Sequence, residues 1–531
     1  MQKYLWVVIG SCLLWGGCAA DNADVAPVNE IVPTMEQPNI LVFTTDDMGY
    51  TDLGSFGSAY IPTPNLDSFA TEGLRLTNFH VAITCAHTRS MLLSGTGNHE
   101  AGMGSQRVYP QFQGLSGYEG HISDRVATIP ERLVTEGYHT YMSGKWHLAG
   151  RSEGNHPSDR GFERSFALLG GTGSHYGGDS VGPYSVDGQV VNQMPDDFYS
   201  TTAYVDNMIG FLESNKDDEQ PFFAWFAPTA PHSPMEPHPN WINKFAGKYD
   251  AGYEALCWAR VENAQAAGVL PDGVDMNECA EVSTPWASLD SEAQAEQSRQ
   301  MELYAAMVAH LDYEFGRLIA YLDQSGELDN TYIIYHNDNG PAGNSWAQAL
   351  SSPYRGNKGA QFEGGIRVAA FMHSPYADQT AGISNSLLTV MDVLPTILEI
   401  TGVEDAYTDH ETVLPIRGTS FAALLNNPNE IIHGPEEYIP LDAQSVSVLM
   451  KGSWKIVRPA GSEHWELFDT SKDPSETTDL RESQPAIYQD LVSAYEAHAQ
   501  DIGIVQLTLE EANSVRPGGR GRGAAGGGGQ E

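Results

Sequence analysis

The 531-residue chain is too long for one simple hydrophobic core, and this length predicts two domains. It carries 69 Asp and Glu residues against 28 Lys and Arg, a formal net charge of −41, which argues against nucleic-acid binding because that function needs a basic surface. An acidic surface of this kind keeps an exported protein soluble. A site for an anionic substrate must therefore be locally cationic, and salt screening over roughly 8–10 Å allows such a local exception.

The N-terminus has the pattern of an export signal. Lys3 precedes the apolar run Tyr4–Trp15, which is too short for a comfortable transmembrane helix. Small residues before Cys18 resemble a bacterial lipoprotein cleavage box, so we predict a signal peptide over residues 1–18, membrane attachment through lipidated Cys18, and a polar tether over residues 19–37. The expected location is the periplasm or the outer membrane of a Gram-negative bacterium, with simple secretion as the alternative.

Two acidic residues follow the first predicted strand. The apolar run Asn39–Thr45 is typical of a buried parallel strand, and it ends directly in Asp46 and Asp47. The C-terminal ends of strands form the usual ligand-binding edge of an open α/β sheet. Adjacent carboxylates repel each other, so a bound cation would explain the pair economically. The alternative interpretation is a solvent-exposed acidic turn.

Cys85 stands just before a short apolar run, at the predicted start of a helix. Arg89 follows four residues later and would share its face of that helix. The helix N-terminus adds unpaired N–H groups and a partial positive charge, which together favour an anion at this point. The alternative is an inert, buried thiol.

The other cysteines restrict the role of Cys85. Cys12 would leave with the signal peptide, and Cys257 and Cys279 flank an irregular segment in which they either form a disulfide or stay independent thiols. If those two pair and Cys18 is lipidated, Cys85 is left over. It is therefore the place to look for a chemically special cysteine.

Basic side chains follow the next predicted elements. A helix over Ile129–Thr135 and a strand over Tyr138–Ser143 lead to Lys145 and His147. These two side chains would face the same side if the segment is extended. The alternative is that Lys145 and His147 are ordinary surface residues with no role in a site, since Lys-x-His pairs are common on protein surfaces.

The strand Phe222–Phe226 leads into a proline-rich segment, and its prolines would present His232 on a rigid backbone. Residues 237–297 lack clear periodicity and are predicted to form an irregular insertion beside the site. The stretch Met301–Leu322 predicts a helix whose apolar stripe belongs to the core and not to a ligand site.

The strand Thr331–His336 ends in Asp338 and Asn339, much as the first strand ends in two acids. A parallel sheet would bring both strand ends together, and their hard oxygen ligands suit Ca²⁺ or Mg²⁺. Thiol and imidazole clusters with zinc spacing are absent from the sequence. Lys358 lies in a loop that enters the next strand and is a further candidate site residue.

The alternation of strands and helices predicts an α/β fold in which a large, mostly parallel (mixed) sheet is sandwiched by helices. We assign residues 38–425 to this domain, which a helix over Leu388–Gly402 would close. Short strands and a helix over Gln484–Gln500 predict a smaller C-terminal α+β domain, residues 426–512, carrying an antiparallel sheet. The Gly/Arg-rich tail, residues 513–531, is expected to be disordered.

Taken together and in this order, the motifs resemble those of type I sulfatases, particularly the bacterial arylsulfatases of the alkaline phosphatase superfamily. The resemblance implies hydrolysis of aryl or carbohydrate sulfate esters to an alcohol and inorganic sulfate. It runs from about Pro38 to Leu480. Its motifs are Asp46-Asp47, Cys85 through Gly95, Gly144 through His147, the His232 loop, Gly326 through Thr331, Asp338 through Gly340, Asn357-Lys358 and Glu363 through Arg367.

The resemblance implies a nucleophile and a metal ion. In that family the cysteine of a Cys-x-Pro-x-Arg motif is oxidised to formylglycine by a formylglycine-generating enzyme, and the hydrate of this aldehyde attacks sulfur. Cys85 is then the precursor of the nucleophile. One Ca²⁺ ion, in preference to Mg²⁺, would bind the hydrate at position 85 and four further side chains: Asp46, Asp47, Asp338 and Asn339.

The resemblance also implies roles for the charged residues around the sulfate. Asp338 would accept a proton as the hydrate attacks. His232, together with Lys358, would protonate the departing alcohol. His147 would take the second hydrate proton, which expels sulfate and regenerates the aldehyde. Three cations would stabilise charge on the sulfuryl oxygens: Arg89, Lys145 and Lys358.

The chain departs from the family motif at His87, where the family has proline. The maturation machinery reads this segment while the chain is unfolded, so the substitution can lower or abolish oxidation of Cys85. Two alternatives follow. One is a phosphonate or phosphate monoester hydrolase that uses the same site. The other is a non-catalytic binder of sulfated glycans, if Cys85 is not oxidised.

Overall fold

An eleven-stranded mixed sheet runs through the part of the chain that the structure describes. This computed structural model describes residues 37–511 except 150–153, 179–180, 192, 271–282, 344, 377–379, 409, 444–445, 460–461, 506 and 509. The predicted signal peptide with Cys18, all but the last residue of the tether, and the tail lie outside the described residues and stay predictions. The strands are β1 (Asn39–Thr45), β2 (Leu74–His80), β3 (His139–Lys145), β4 (Arg164–Leu168), β5 (Tyr184–Val186), β6 (Gln189–Val191), β7 (Phe222–Ala227), β8 (Thr331–Asn337), β9 (Arg367–His373), β10 (Gly382–Ser384) and β11 (Leu388–Thr389).

The strand order is β10–β2–β9–β8–β1–β7–β3–β4–β5–β6, and β11 also pairs with β2. The central strands β8, β1, β7, β3 and β4 run parallel to one another. Strand β9 is antiparallel to both β8 and β2, and the β4–β5–β6 edge is antiparallel as well. The large, mostly parallel, mixed sheet predicted from the sequence is confirmed.

Helices cover both faces of the sheet, because the side chains of each buried strand alternate between two apolar cores. In β1, Leu41 and Phe43 join the core that α1, α4, α5 and α6 cover, whereas Ile40 and Val42 join the core on the side of α2, α3 and α9. The helices are α1 (Pro64–Glu72), α2 (Cys85–Ser94), α3 (Ile129–Val134), α4 (Ser200–Asn215), α5 (Tyr253–Ala266), α6 (Ser291–Ser325), α7 (Ser345–Leu350), α8 (Glu363–Ile366), α9 (Val393–Thr401) and α10 (Pro485–Ile502).

Helix α6 is longer than its sequence pattern predicts. It begins at Ser291, where the Asp290 side chain accepts a hydrogen bond from the backbone N–H of Ala293, and it ends at Gly326 in the left-handed conformation. Among the described residues, no helix combines the length and the apolarity needed to cross a membrane. The predicted apolar stripe is confirmed as core, because all its members are buried: Tyr304, Met307, Val308, Leu311, Phe315, Leu318, Ile319 and Leu322.

A separate four-stranded antiparallel sheet follows, as predicted. Helix α10 packs on it through Leu491 and Tyr495, which share an apolar cluster with Leu449 and Ile456. The buried Lys455 of this sheet forms ion pairs with Glu363 (2.7 Å) and Glu476 (2.8 Å). The strands of this sheet are β12 (Ile439–Pro440), β13 (Ser447–Lys451), β14 (Trp454–Arg458) and β15 (Glu466–Asp469).

Two segments differ from their sequence patterns. Residues 237–297 contain helix α5, which periodicity missed because Arg260 occupies its buried face, where it forms an ion pair with Asp52 (2.6 Å). The predicted helix Leu388–Gly402 is divided: β11 pairs with β2, and the helix proper begins only at Val393.

Two of the cysteines, Cys85 and Cys257, lie among the described residues. Cys257 is disulfide-bonded. Cys279 lies outside the described residues, so the predicted pairing of these two stays a prediction. Cys85 is the free cysteine among the described residues, and it is buried.

A buried ion pair makes the stability of the fold depend on pH. His433 contacts Asp392 and Glu437 at 2.9 Å each, and it is 6% exposed. Burial lowers the pKa of His433, but these two carboxylates outweigh burial and raise it to about 9 from 6.5. Because the pKa is higher in the folded state, the stabilisation is complete below pH 6.5 and is lost as the pH rises towards 9.

We therefore expect His433→Gln to lower the free energy of unfolding by about 1–3 kcal/mol near pH 6, and by much less near pH 9.5. Urea unfolding at the two pH values measures the difference. The exposed His464 is the matched control, and His464→Gln should have no such pH-dependent effect. A His433→Gln loss of equal size at both pH values would contradict the assignment.

Candidate active site

Four neighbouring parallel strands end at one edge of the large sheet, and each is followed by predicted site residues. Thr45 of β1 pairs in register with Asn337 of β8, and Gly144 of β3 pairs with Ala227 of β7. Gly144 is required there, because a Cβ atom would lie 2.0 Å from the carbonyl oxygen of Ala227. This edge gathers Asp46, Asp47, Lys145, His147, His232, Asp338 and Asn339.

Asp46 and Asp338 form one side of the site with two buried cations. The Arg89 guanidinium donates from Nε (3.0 Å) and Nη2 (2.8 Å) to Asp338 Oδ2, and from Nη1 to the Lys145 carbonyl oxygen (2.5 Å). Lys145 Nζ lies 2.6 Å from Asp46 Oδ2. All four side chains are fully buried. The two cations thus hold the ends of β1, β3 and β8 and helix α2 together.

Asp47 forms the other side of the site. Lys358 Nζ lies 2.5 Å from Asp47 Oδ1, which also accepts a hydrogen bond from Asn339 Nδ2 (2.7 Å). His232 Nε2 lies 3.6 Å from Asp47 Oδ2. Asp47 has a positive φ of 67°, a strained backbone conformation for a non-glycine residue that aims its carboxylate into this cluster.

Cys85 is the first residue of helix α2, and its Sγ faces the acidic cluster. Ligand atoms of Asp46, Asp47, Cys85 and His232 all lie within 4.8 Å of one another. Burial raises the pKa of the Cys85 thiol, so an unmodified Cys85 stays protonated. Cys85 and Arg89 thus lie close to the carboxylates, as predicted, although these residues are far from the carboxylates in sequence.

His87 is accommodated inside the fold. It is fully buried on helix α2, and its Nδ1 lies 2.6 Å from the Thr84 hydroxyl. Burial lowers the pKa of His87 to about 3, so the ring is neutral. The residue that replaces the family's proline thus contacts the residue just before Cys85.

The backbone conformation at His147 differs from the extended one that the sequence predicts. It has a φ of 60°, so the chain is not extended there and the predicted alternation of Lys145 and His147 does not hold. Its half-buried ring lies against Gly171, where a Cβ atom would be 2.5 Å from Nε2. Burial and the charges of Lys145 and Arg89 lower the pKa of His147 well below its usual range. The imidazole is therefore neutral.

The donor set fits a hard divalent cation. Three buried oxygen atoms of the predicted metal ligands have no hydrogen-bond partner: Asp46 Oδ1, Asp47 Oδ2 and Asn339 Oδ1. Unpartnered buried polar atoms are costly, and an ion coordinated by carboxylate and amide oxygens would remove that cost.

The carboxylates of the site differ in acidity. Burial alone would raise the pKa of Asp46, but Lys145 and the other cations around it hold the pKa well below its usual range. Burial and the adjacent charge of Asp46 raise the pKa of Asp338, and Arg89 does not fully offset them. Asp338 is therefore the more basic carboxylate of the pair.

Some supporting residues were not identified from the sequence. Tyr304 lies in the apolar stripe of α6, yet its hydroxyl donates to the backbone oxygen of Asp47 (3.2 Å). His175 donates to the backbone oxygen of His232 from a glycine-rich loop. Neither residue stands in a distinctive motif, so their roles emerge only from tertiary contacts.

Comparison with known proteins agrees with the fold and identifies the family. A model of the sulfatase family matches residues 38–403. An uncharacterized sulfatase of Schizosaccharomyces pombe is 35% identical over 88% of this chain and 95% of that protein, and an arylsulfatase of Klebsiella aerogenes is 35% identical over 73% and 92%. The crystal structure of Ps i-CgsB in complex with k-i-k-neocarrahexaose has a TM-score of 0.68 at 22% identity, covering 88% of this chain and 93% of that one.

These findings define the class of protein. The mixed α/β fold, the convergent site and the extent of the family match show that the chain belongs to the sulfatase family. It is a sulfuric ester hydrolase.

The Arg89–Asp338 contact yields a stability prediction. We expect Arg89→Met to lower the free energy of unfolding by about 3–5 kcal/mol, because it leaves a buried carboxylate without its partner. The matched control is Arg125→Met, since Arg125 is one-third exposed and its contact with Glu119 is 3.4 Å long. That variant should lose no more than about 1 kcal/mol in the same urea titration. Equal losses in the two variants would show that burial of the pair is unimportant.

Proposed function

We propose that this sulfatase hydrolyses aryl or carbohydrate sulfate esters with a formylglycine made from Cys85 and one bound Ca²⁺. The observation that carries the proposal is the convergence of Cys85, Asp46, Asp47 and His232 within 4.8 Å. Three cations border this cluster and offset the charges of Asp46, Asp47 and Asp338, so a bound divalent cation would make the site locally cationic for an anionic ester in a protein with a net charge of −41.

The ion and the modified cysteine supply the reactive chemistry. A Ca²⁺ held by Asp46, Asp47, Asp338, Asn339 and the modified residue 85 would neutralise sulfate charge and lower the pKa of a bound hydroxyl. The hydrated aldehyde at position 85 would supply a nucleophile that can later release its ester by returning to a carbonyl. Maturation by a formylglycine-generating enzyme is part of this proposal.

The residues of the chain itself would bind the ester and move protons. Arg89 and Lys145, fixed by buried carboxylates, present positive charge to the sulfuryl oxygens without reorganising. Asp338, the more basic carboxylate, accepts a proton from residue 85. Neutral His147 accepts the second proton when sulfate leaves.

His232 and Lys358 would act on the leaving group. Both lie beside Asp47, at 3.6 Å and 2.5 Å from its carboxylate oxygens. With Nδ1–H bonded to the Ser233 carbonyl oxygen, His232 would donate the Nε2 proton of its imidazolium form to the departing alcohol, and Lys358 would stabilise the developing alkoxide.

The comparisons suggest the substrate class without naming the substrate. An arylsulfatase is among the relatives, and the structure of Ps i-CgsB contains a carrahexaose. We propose sulfated carbohydrate as the natural substrate class and simple aryl sulfates as assay substrates. Export to the periplasm or outer membrane through the segment ending at Cys18 would place the enzyme where sulfated polysaccharide is encountered.

The nucleophile is tested by peptide mass spectrometry across Cys85, on protein from a host that has the maturation enzyme. We expect a fraction of the peptide to carry the aldehyde, which is lighter than cysteine and does not react with iodoacetamide. Turnover of 4-nitrophenyl sulfate should follow that fraction, exceed turnover of the phosphate ester, and vanish in Cys85→Ala. Peptide carrying only alkylated Cys85 would remove the enzyme mechanism and favour a sulfated-glycan binder.

The metal is tested by thermal or urea unfolding in Ca²⁺ and in EDTA. At free Ca²⁺ near 100 times Kd, we expect a stabilisation of about 2.7 kcal/mol. Asp47→Ala should abolish this gain, whereas Asp323→Ala, an exposed acid on α6, should retain it. A full Ca²⁺-dependent gain in Asp47→Ala would contradict the metal assignment.

A further inference from the structure

The loop segment 232–237, which carries His232, is held by its backbone carbonyl groups. Four of these carbonyl oxygens accept hydrogen bonds from side chains of other segments. We call this arrangement the carbonyl clamp. Its bonds run from Thr172 to Ser233 (3.0 Å), from His175 to His232 (2.9 Å), from Tyr176 to Pro237 (2.8 Å) and from Tyr199 to Glu236 (3.0 Å).

His175 is the member of the clamp that contacts the His232 residue itself. A carbonyl oxygen only accepts, so Nε2 of His175 carries the proton, and Nδ1 accepts from the Ser200 hydroxyl at 2.8 Å. The backbone N–H of His175 donates to Glu236 (2.8 Å). Every polar group of the ring is therefore used, and burial lowers the pKa of His175, which keeps the ring in this neutral tautomer.

The clamp fixes a side chain that has little other support. The His232 ring bonds to the backbone oxygen of its neighbour Ser233 through Nδ1 (2.7 Å), and its Nε2 lies 3.6 Å from Asp47. The position of the ring thus follows the position of the 232–233 backbone. A general acid must lie within hydrogen-bond reach of its oxygen, and a displacement of about 1 Å costs on the order of 100-fold in rate.

We propose that His175 is a positioning residue that sets the His232 imidazole for protonation of the leaving alcohol. The inference rests on the proposed function, because it assumes that His232 is the general acid. It also makes a distinctive prediction. Loss of a general acid slows esters of weakly acidic alcohols and spares esters of acidic phenols, which leave without a proton.

The test compares wild type with His175→Phe on sulfate esters whose leaving groups range from 4-nitrophenol to simple alcohols. We expect kcat/KM to fall by about 100-fold for alkyl or carbohydrate sulfates and by less than about threefold for 4-nitrophenyl sulfate. His175→Gln, which retains an N–H donor, should recover most of the loss. An equal loss on every ester, or none, would overturn the proposal.

Tyr138→Phe is the matched control. It also removes a buried side-chain bond to a backbone oxygen, from Tyr138 to Pro38 (3.1 Å), but at the opposite edge of the sheet. Its kcat/KM profile should match that of wild type. If His175→Phe does not fold, Ser200→Ala removes the hydrogen bond to Nδ1 and should produce a smaller loss of the same leaving-group dependence. A flat profile in folded Ser200→Ala would count against the clamp.

A readout without substrate separates the clamp from the proposed function. Hydrogen exchange at Cε1 of His232, followed by mass spectrometry, should be at least about threefold faster in His175→Phe than in wild type or Tyr138→Phe. Unchanged exchange would refute the clamp whatever the activity. If exchange at His232 is faster in His175→Phe as expected but the wild-type protein hydrolyses no sulfate ester, the proposed function is refuted and the clamp stays supported.

Discussion

A cluster of alternating charges at one edge of the large sheet is the constraint on which the site depends. The carboxylates of Asp46, Asp47 and Asp338 meet there with three cations, Arg89, Lys145 and Lys358, and all six side chains except the partly exposed Lys358 are buried. Buried charges are tolerated only when they are paired, so each partner fixes the position of the next. Strand ends β1, β3 and β8, helix α2 and the Lys358 loop are therefore held in one arrangement.

The same cluster reconciles an acidic protein with an anionic substrate. The net charge of −41 repels a sulfate ester, but salt screens this repulsion beyond about 8–10 Å from the charged surface groups. Inside the site, the charges of the carboxylates are nearly balanced by the three cations. A divalent ion bound to the unpartnered oxygens of Asp46, Asp47 and Asn339 would tip the balance to positive.

Side chains outside the charged cluster hold the backbone segments that carry its residues. Tyr304 holds the backbone of Asp47 from helix α6, and His175 holds the backbone of His232 from a glycine-rich loop. His87 contacts Thr84 beneath the N-terminus of α2. Backbone carbonyl and hydroxyl groups are the points of attachment in all three cases, so the precision of the site is distributed well beyond its charged residues.

The sequence by itself determined the fold class, the core stripe of α6 and every charged residue that the sheet edge brings together. The strands that lead to Asp46, Lys145 and Asp338 place those side chains at the C-terminal edge, and the resemblance to the sulfatases indicated that they belong to one site. Helix α5, the divided 388–402 segment and the left-handed His147 were decided by tertiary structure, because Arg260 pairs with a distant Asp52 and Leu388 pairs with β2. The same holds for Tyr304 and His175: local pattern reports which face of an element is buried, whereas hydrogen bonds between residues far apart in the chain exist only once the strands are assembled.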